Sequence, residues 1–117
     1  MGFSDDDDQK AIEYSNSGEY GKAIELWNNL ILSNPEDERV WVNKAHDLSK
    51  LGKDEEAILC CDKAILINHD YEHAWSIKGM VSSKRGNLEM SIICHDKVIE
   101  INLSTLDLIN VLFSSNE

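Results

Sequence analysis

Two runs of the sequence, 34 residues apart, carry side chains that can bind metals or undergo redox reactions. Cys60 and Cys61 lie side by side in AILCCDKAILIN, and Cys94 and His95 take the same places in SIICHDKVIEIN. Thiolate and imidazole are ligands that zinc prefers. Neighbouring residues on a helix, however, diverge by about 100° around its axis, so these four do not converge readily on one ion. We therefore favour packing in a core, although the sequence alone leaves metal binding open.

A second cluster consists of His69, Asp70 and His73, which could form a surface metal site. Asp70 also precedes a helix expected near Glu72, where a carboxylate could cap backbone N–H groups. We interpret the cluster as a turn with a helix cap. The sequence contains neither a glycine-rich phosphate loop nor a nucleophile elbow. We therefore predict a protein with no catalytic residues, no cofactor and no bound metal.

The charge balance restricts the class of partner. The 117 residues include 22 Asp and Glu against 11 Lys and Arg, a formal net charge of −11. Such a chain repels nucleic acids and anionic membranes, so a protein or peptide that is neutral to basic is the expected partner. We find no secretory signal and no apolar run of membrane-spanning length, and three cysteines suit a reducing compartment. These features predict a cytoplasmic protein, and the sequence leaves open whether it is a fragment.

The chain repeats itself with a period of 34 residues. Glycine recurs at 18, 52 and 86, asparagine at 34, 68 and 102, and tryptophan at 41 and 75. Apolar residues between these positions follow helical spacing, and glycine can close a helix in the left-handed conformation. We predict one all-α domain, residues 1–117, with three helix–turn–helix units at about 4–37, 38–71 and 72–105. A further helix at about 106–113 would bring the total to seven, and Asn34-Pro35 is predicted to start a helix.

The repeat resembles a known family. The residues that carry the resemblance are Trp41-x2-Lys44-Ala45-x2-Leu48-x3-Gly52-x4-Ala57-x3-Cys61-x2-Ala64, followed by Trp75-x2-Lys78-Gly79 and Gly86. This frame is similar to the tetratricopeptide repeat. The resemblance implies a right-handed α–α solenoid that serves as a protein-interaction module or scaffold. Lysine at 10, 44 and 78 departs from the usual leucine, and Asp7 replaces the first tryptophan.

The resemblance also implies a concave groove lined by the first helix of each unit. The family's groove positions correspond to Asp5, Asp8, Ile12, Arg39, Val42, Asn43, His46, His73, Ser76, Ile77 and Met80. Asn43 matches an asparagine that family members use to hold a peptide backbone or carboxylate. The chaperone-binding subgroup surrounds a terminal carboxylate with two lysines, a second asparagine and an arginine. Those four positions hold Asp8, Ile12, His73 and Ile77 here, so we expect a ligand with apolar anchors and a basic end instead.

The end of the sequence suggests an alternative function. Residues 106–113, LDLINVLF, are apolar at six of eight positions, whereas a terminal capping helix needs a broad polar face. Either this segment docks on the third unit, or it buries its apolar side chains against a second copy of the chain. In the second case the protein is a structural homo-oligomer, such as a homodimer. The contact would involve Leu106, Leu108, Ile109, Leu112 and Phe113.

Overall fold

The computed structural model describes the backbone of residues 3–114 and the side chains of residues 6–114. This part of the chain folds into six α-helices and contains no strand. The helices are α1 (Phe3–Asn16), α2 (Tyr20–Ser33), α3 (Glu38–Lys50), α4 (Asp54–Ile67), α5 (Glu72–Lys84) and α6 (Leu88–Ser114). Helices α1–α2, α3–α4 and α5–α6 pack as hairpins, with α3 on α2 and α5 on α4. The predicted all-α class is confirmed.

The three hairpins close with the same turn. Gly18, Gly52 and Gly86 have φ angles of 82°, 79° and 82°, in the left-handed region that glycine occupies without a Cβ clash. Directly after Gly52, the Lys53 N–H donates to the Leu48 carbonyl at 2.9 Å, and equivalent bonds close the other two turns. The three glycines therefore have the turn-forming role that their spacing predicts.

The connections between hairpins differ from the prediction. Asn34 does not start a helix, because its own N–H still donates to the Leu30 carbonyl at the end of α2. Its side chain accepts from the Glu36 N–H at 3.3 Å, and the helix cap is Asp37, which accepts from the Arg39 N–H at 3.1 Å. The predicted cap at Asp70 is also wrong.

At the second connection the N-cap of α5 is Tyr71, which makes no side-chain capping bond. The Asp70 N–H instead donates to the Asn68 side chain at 3.3 Å. Each connecting asparagine thus stabilises the turn between two hairpins, since its side-chain amide oxygen lies within reach of the backbone two residues on.

The final helix is longer than predicted. Helix α6 continues without interruption from Leu88 to Ser114, so the predicted seventh helix at 106–113 is the second half of α6. At the earlier connections, the Trp41 indole donates to the Pro35 carbonyl and the Trp75 indole to the His69 carbonyl, both at 2.8 Å. The equivalent position here is Ile109, which has no donor, and leucine replaces proline at 103. The second connection has His69 at the proline position, and α4 ends before it without a proline. The indole anchor is therefore the feature that both earlier connections share and that α6 lacks.

The core runs through all three hairpins. Its larger cluster joins α3, α4 and α5 and includes Val42, Leu48, Cys61 and Val81. A second cluster, around Trp27, joins the first hairpin to the start of α3. None of the helices within residues 3–114 combines the length and the apolar character that a membrane span requires.

Candidate peptide groove

The centre of the predicted groove is a cavity between the first helices of the three hairpins. The cavity has a volume of about 230 Å³ and is lined by Ile12, Ser15, Asn16, Trp27, Asn43, His46 and His73. Four of these residues were predicted from the sequence: Ile12 from α1, Asn43 and His46 from α3, and His73 from α5. The fold therefore brings together residues that are up to 61 positions apart in the sequence.

A second cavity adjoins the first and shares His46 with it. It has a volume of about 290 Å³ and is lined by His46, Ser49, Lys50, Ile77, Met80 and Lys84. Met80 supplies an exposed apolar side chain, while Lys50 and Lys84 are lining residues that the sequence reasoning missed. The Lys84 ammonium is engaged by Asp54 at 2.9 Å and by the Ser49 carbonyl at 3.0 Å. This half of the groove thus combines an apolar anchor site with a neutralised lysine.

Asp8 and Arg39 meet in a third cavity, which shares no lining residue with the first two. Its volume is about 270 Å³, and it includes Asp37 and Val40. The Arg39 guanidinium lies 3.1 Å from the Asp37 carboxylate, and this hydrogen-bonded charge raises the pKa of Arg39 above its usual value. Two carboxylates surround one guanidinium, so the cavity carries a net negative charge.

Two predicted groove residues lie mainly in the core. Val42 has no exposed surface and Ile77 is only 4% exposed, so both belong mainly to the core beneath the groove. Val42 therefore cannot contact a ligand, because α4 and α5 cover the side of α3 on which it lies. Ser76 is exposed but lines none of these three cavities. The side chain of Asp5 lies outside the described residues.

A buried carboxylate supports the groove from below. Asp47 has no exposed surface and accepts hydrogen bonds from the Ser15 hydroxyl at 2.6 Å and the Trp27 indole at 2.7 Å. Its third partner is the His46 ring, whose Nδ1 lies 3.1 Å from the Asp47 carboxylate. These bonds connect α1, α2 and α3 and hold His46 at the junction of the two central cavities.

Sequence reasoning missed Asp47, although the repeat contains a signal. The equivalents of Trp27 and Asp47 in the next unit are Cys61 and Val81, both buried. A polar pair at one interface therefore replaces an apolar pair at the next. An acid at a position that is apolar in a neighbouring unit could have been recognised as the acceptor for the indole N–H.

The cysteines behave as core residues, as predicted. Cys60, Cys61 and Cys94 are buried free thiols, and burial raises the pKa of each, to about 12 for Cys61. Such thiols are protonated near neutral pH and therefore poorly nucleophilic. His95 is exposed, and its Nδ1 lies 2.7 Å from the Ser91 carbonyl. Within the described part of the chain, no three His, Cys, Asp or Glu side chains group together so as to hold a metal.

Sequence comparison identifies one unit of the repeat. Residues 38–71 match the family model for the tetratricopeptide repeat, and these are the bounds predicted for the second unit. No curated protein matches the chain significantly.

Solved structures share the fold over most of the chain. The second TPR domain of Spaghetti (RPAP3), bound to the HSP90 peptide SRMEEVD, has a TM-score of 0.79 at 23% identity, over 84% of this chain and 91% of that chain. The TPR2B domain of yeast Sti1, in a complex with pHsp70, has a TM-score of 0.84 at 22% identity, over 89% and 83%. The second TPR domain of human RPAP3, with the HSP70 peptide SGPTIEEVD, has a TM-score of 0.77 at 24% identity, over 81% and 79%. Residues 38–71 are therefore similar to a tetratricopeptide repeat, and the chain as a whole has the fold of tetratricopeptide repeat domains.

Proposed function

We propose that the chain is a non-catalytic interaction module that binds a segment of another protein in the groove formed by α1, α3 and α5. The observation that carries the proposal is the convergence of Ile12, Asn43, His46 and His73, from three helices, on one cavity. Three structures of similar fold are complexes with chaperones or chaperone peptides, which supports the binding of a protein segment. A cytoplasmic location agrees with this role and is part of the proposal.

The chemistry of the groove favours a ligand unlike the acidic peptides SRMEEVD and SGPTIEEVD of two of those complexes. Asp8 and Asp37 lie in the cavity with Arg39, and Asp37 already engages that guanidinium. A basic residue of the ligand would therefore be stabilised there, whereas a carboxylate would be repelled. Beside His46, Ile12 and Met80 offer exposed apolar surface for an anchor side chain. The proposed ligand is an extended or helical segment with apolar anchors and a basic end.

Selection from a random peptide library displayed on phage tests this proposal. Peptides enriched on the wild-type protein should combine apolar residues with Lys or Arg. They should lose most of their binding to Met80→Asp, because a carboxylate would replace the anchor site. The matched control is Leu66→Asp, which makes the same change at an exposed leucine of α4 outside these cavities. Peptides that bind both variants as well as the wild type would contradict groove binding, and enrichment of acidic peptides would contradict the proposed ligand chemistry.

A second candidate function is assembly, and the end of α6 favours it. Leu106, Leu108, Ile109, Leu112 and Phe113 are each between 41% and 71% exposed, and residues 102–114 are exposed throughout. An apolar helix of this length outside the core is typical of an interaction surface. Homodimerisation through this segment would make the protein a structural scaffold, whether or not the groove binds a ligand. Light scattering on a size-exclusion column tests this function, because a wild-type monomer would contradict it.

A further inference from the structure

Helix α6 carries one exposed apolar stripe along almost its whole length. The stripe consists of Ile92, Ile99, Leu106, Ile109 and Phe113, each 41% to 71% exposed. Four of these residues are spaced by seven, and Ile109 lies three residues after Leu106. This is the a and d spacing of a helix that pairs with another helix in a coiled coil. The same side of α6 therefore has a pairing surface in its first half and in its second half.

The first half of the stripe corresponds to a surface that is covered in the preceding hairpin. Ile92 and Ile99 follow Ile58 and Ile65 by 34 residues. On α4 those two isoleucines pack against the core cluster formed by residues of α3, α4 and α5, and α5 packs on α4. Between Ile58 and Ile65, Cys61 has no exposed surface, whereas its equivalent His95 on α6 is exposed. The repeat thus indicates that a helix belongs on this face.

The tail of α6 cannot cover this face in its own chain. Helix α6 is continuous from Leu88 to Ser114, so its second half does not fold back onto its first half. At the usual rise of about 1.5 Å per residue, Ile92 and Ile109 lie about 25 Å apart along the helix. A second helix with the same stripe can cover both halves at once. Another copy of α6 is such a helix, and a two-fold axis makes the contact between the two α6 helices self-complementary.

Two observations favour an antiparallel arrangement. Helices α4 and α5 are joined by a short turn and so run in opposite directions, which means that the helix covering this face of α4 is antiparallel to it. Residues 102–114 contain one charged side chain, Asp107, so nearly all of the chain's acidic residues lie before residue 102. An antiparallel pair places the acidic parts of the two copies at opposite ends of the dimer, which reduces the repulsion between them.

We propose that two copies pair through antiparallel α6 helices along this stripe, an inference that rests on the assembly function proposed above. Residues at a positions of one helix then meet d positions of the other. Ile99 lies beside Ile109 of the second copy, and Phe113 lies beside His95 of the second copy. The two-fold axis passes near Ser104, and the two grooves lie at opposite ends of the dimer. Such a dimer would connect two ligand segments.

Single cysteine substitutions test this arrangement directly. Leu103 flanks the stripe near the proposed axis, so Leu103→Cys should form an intermolecular disulfide under mild oxidation. Ser104→Cys is the matched control, because residue 104 lies about 100° further around the helix and points away from the proposed contact between the two α6 helices. Phe113→Cys should also stay uncrosslinked, because in an antiparallel pair it meets residue 95. The native cysteines are buried and so stay out of the reaction.

The outcomes separate the pairing from the assembly function itself. A covalent dimer of Leu103→Cys at several times the yield of both other variants supports the antiparallel pair. A wild-type protein that is dimeric by light scattering, with Phe113→Cys as the variant that crosslinks best, overturns the antiparallel pairing but leaves self-association standing. A dimer that none of the three variants crosslinks places the interface elsewhere and also overturns the proposal. A wild-type monomer in which no variant crosslinks refutes both. Circular dichroism of each variant checks that α6 remains helical.

Discussion

The buried carboxylate of Asp47 provides the sharpest test of how the groove is supported. We expect Asp47→Val to destabilise the protein even though valine is similar in size and is the native residue at the equivalent position 81. At position 81, valine packs in an apolar core, whereas at 47 it would leave the Trp27 indole and the Ser15 hydroxyl without their acceptor. The expected loss therefore arises from polar groups, not from packing.

The magnitude follows from the hydrogen bonds that are lost. A buried donor without a partner costs about 1–3 kcal/mol, and bonds to a charged acceptor contribute about 1.5–3 kcal/mol each, although they are not additive. Removing the desolvated charge offsets part of this loss. We expect a decrease of about 2–4 kcal/mol in the free energy of unfolding. A domain of this size has roughly 6–17 kcal/mol in total, so the variant should still fold.

A double-mutant cycle in urea, followed by circular dichroism, measures the effect. Trp27→Phe removes the indole donor, so the double variant Trp27→Phe/Asp47→Val should be more stable than the sum of the single changes predicts, by at least about 1 kcal/mol. Glu13→Val changes the equivalent but exposed residue of α1 and should have little effect. The reasoning would be refuted if the changes in the free energy of unfolding for Trp27→Phe and Asp47→Val were additive within about 0.5 kcal/mol. It would also be refuted if Asp47→Val lowered the free energy of unfolding no more than Glu13→Val does.

Two further predictions concern packing and the thiols. Gly79→Ala should lower the free energy of unfolding by about 1–3 kcal/mol, because a Cβ there would lie 3.0 Å from the Cys94 Cβ. Gly21→Ala is the control and should be neutral or stabilising, because a Cβ there meets nothing within 4 Å. If the two variants lowered the thermal unfolding temperature equally, the close approach of Gly79 to Cys94 would be contradicted. Cys61 should resist alkylation in the native protein. A pKa of about 12, against the ordinary 9.0, leaves roughly a thousandth of the usual thiolate, and its fraction rises only as pH approaches 12. Pulsed iodoacetamide labelling with mass spectrometry checks this, and a native rate equal to that in urea would contradict it.

Much of the fold could be predicted because each hairpin is specified locally. Gly52 needs its left-handed φ angle whatever surrounds it, and the apolar spacing of residues 54–67 makes one face of a helix buried in any stack of such units. Repetition at 34 residues then confirms the pattern three times within one chain. The same frame indicated the groove residues Ile12, Asn43, His46 and His73, which the fold does bring together.

The incorrect predictions concern positions where the surrounding structure overrides what the residue's own type suggests. Asn34 suits a helix start by its chemistry, but the bond of its N–H to Leu30 keeps it at the end of α2. Val42 was assigned to the groove by correspondence with the family, yet the packing of α4 and α5 around α3 buries it. The predicted break before residue 106 is missing because the tryptophan anchor of the earlier connections has no counterpart at Ile109.

The sequence by itself determined that the protein is a stack of helical hairpins, because turn residues and helical periodicity act over a few neighbouring residues. Only the tertiary structure decided that Asp47 is buried beneath the groove, that the groove divides into separate cavities, and that α6 continues beyond the stack. Each of these depends on which side chain of another unit lies opposite, such as Trp27 opposite Asp47. Comparison with Val81 marks position 47 as unusual, but a residue's own type does not specify its partner, so the contact itself is set by how the hairpins pack together.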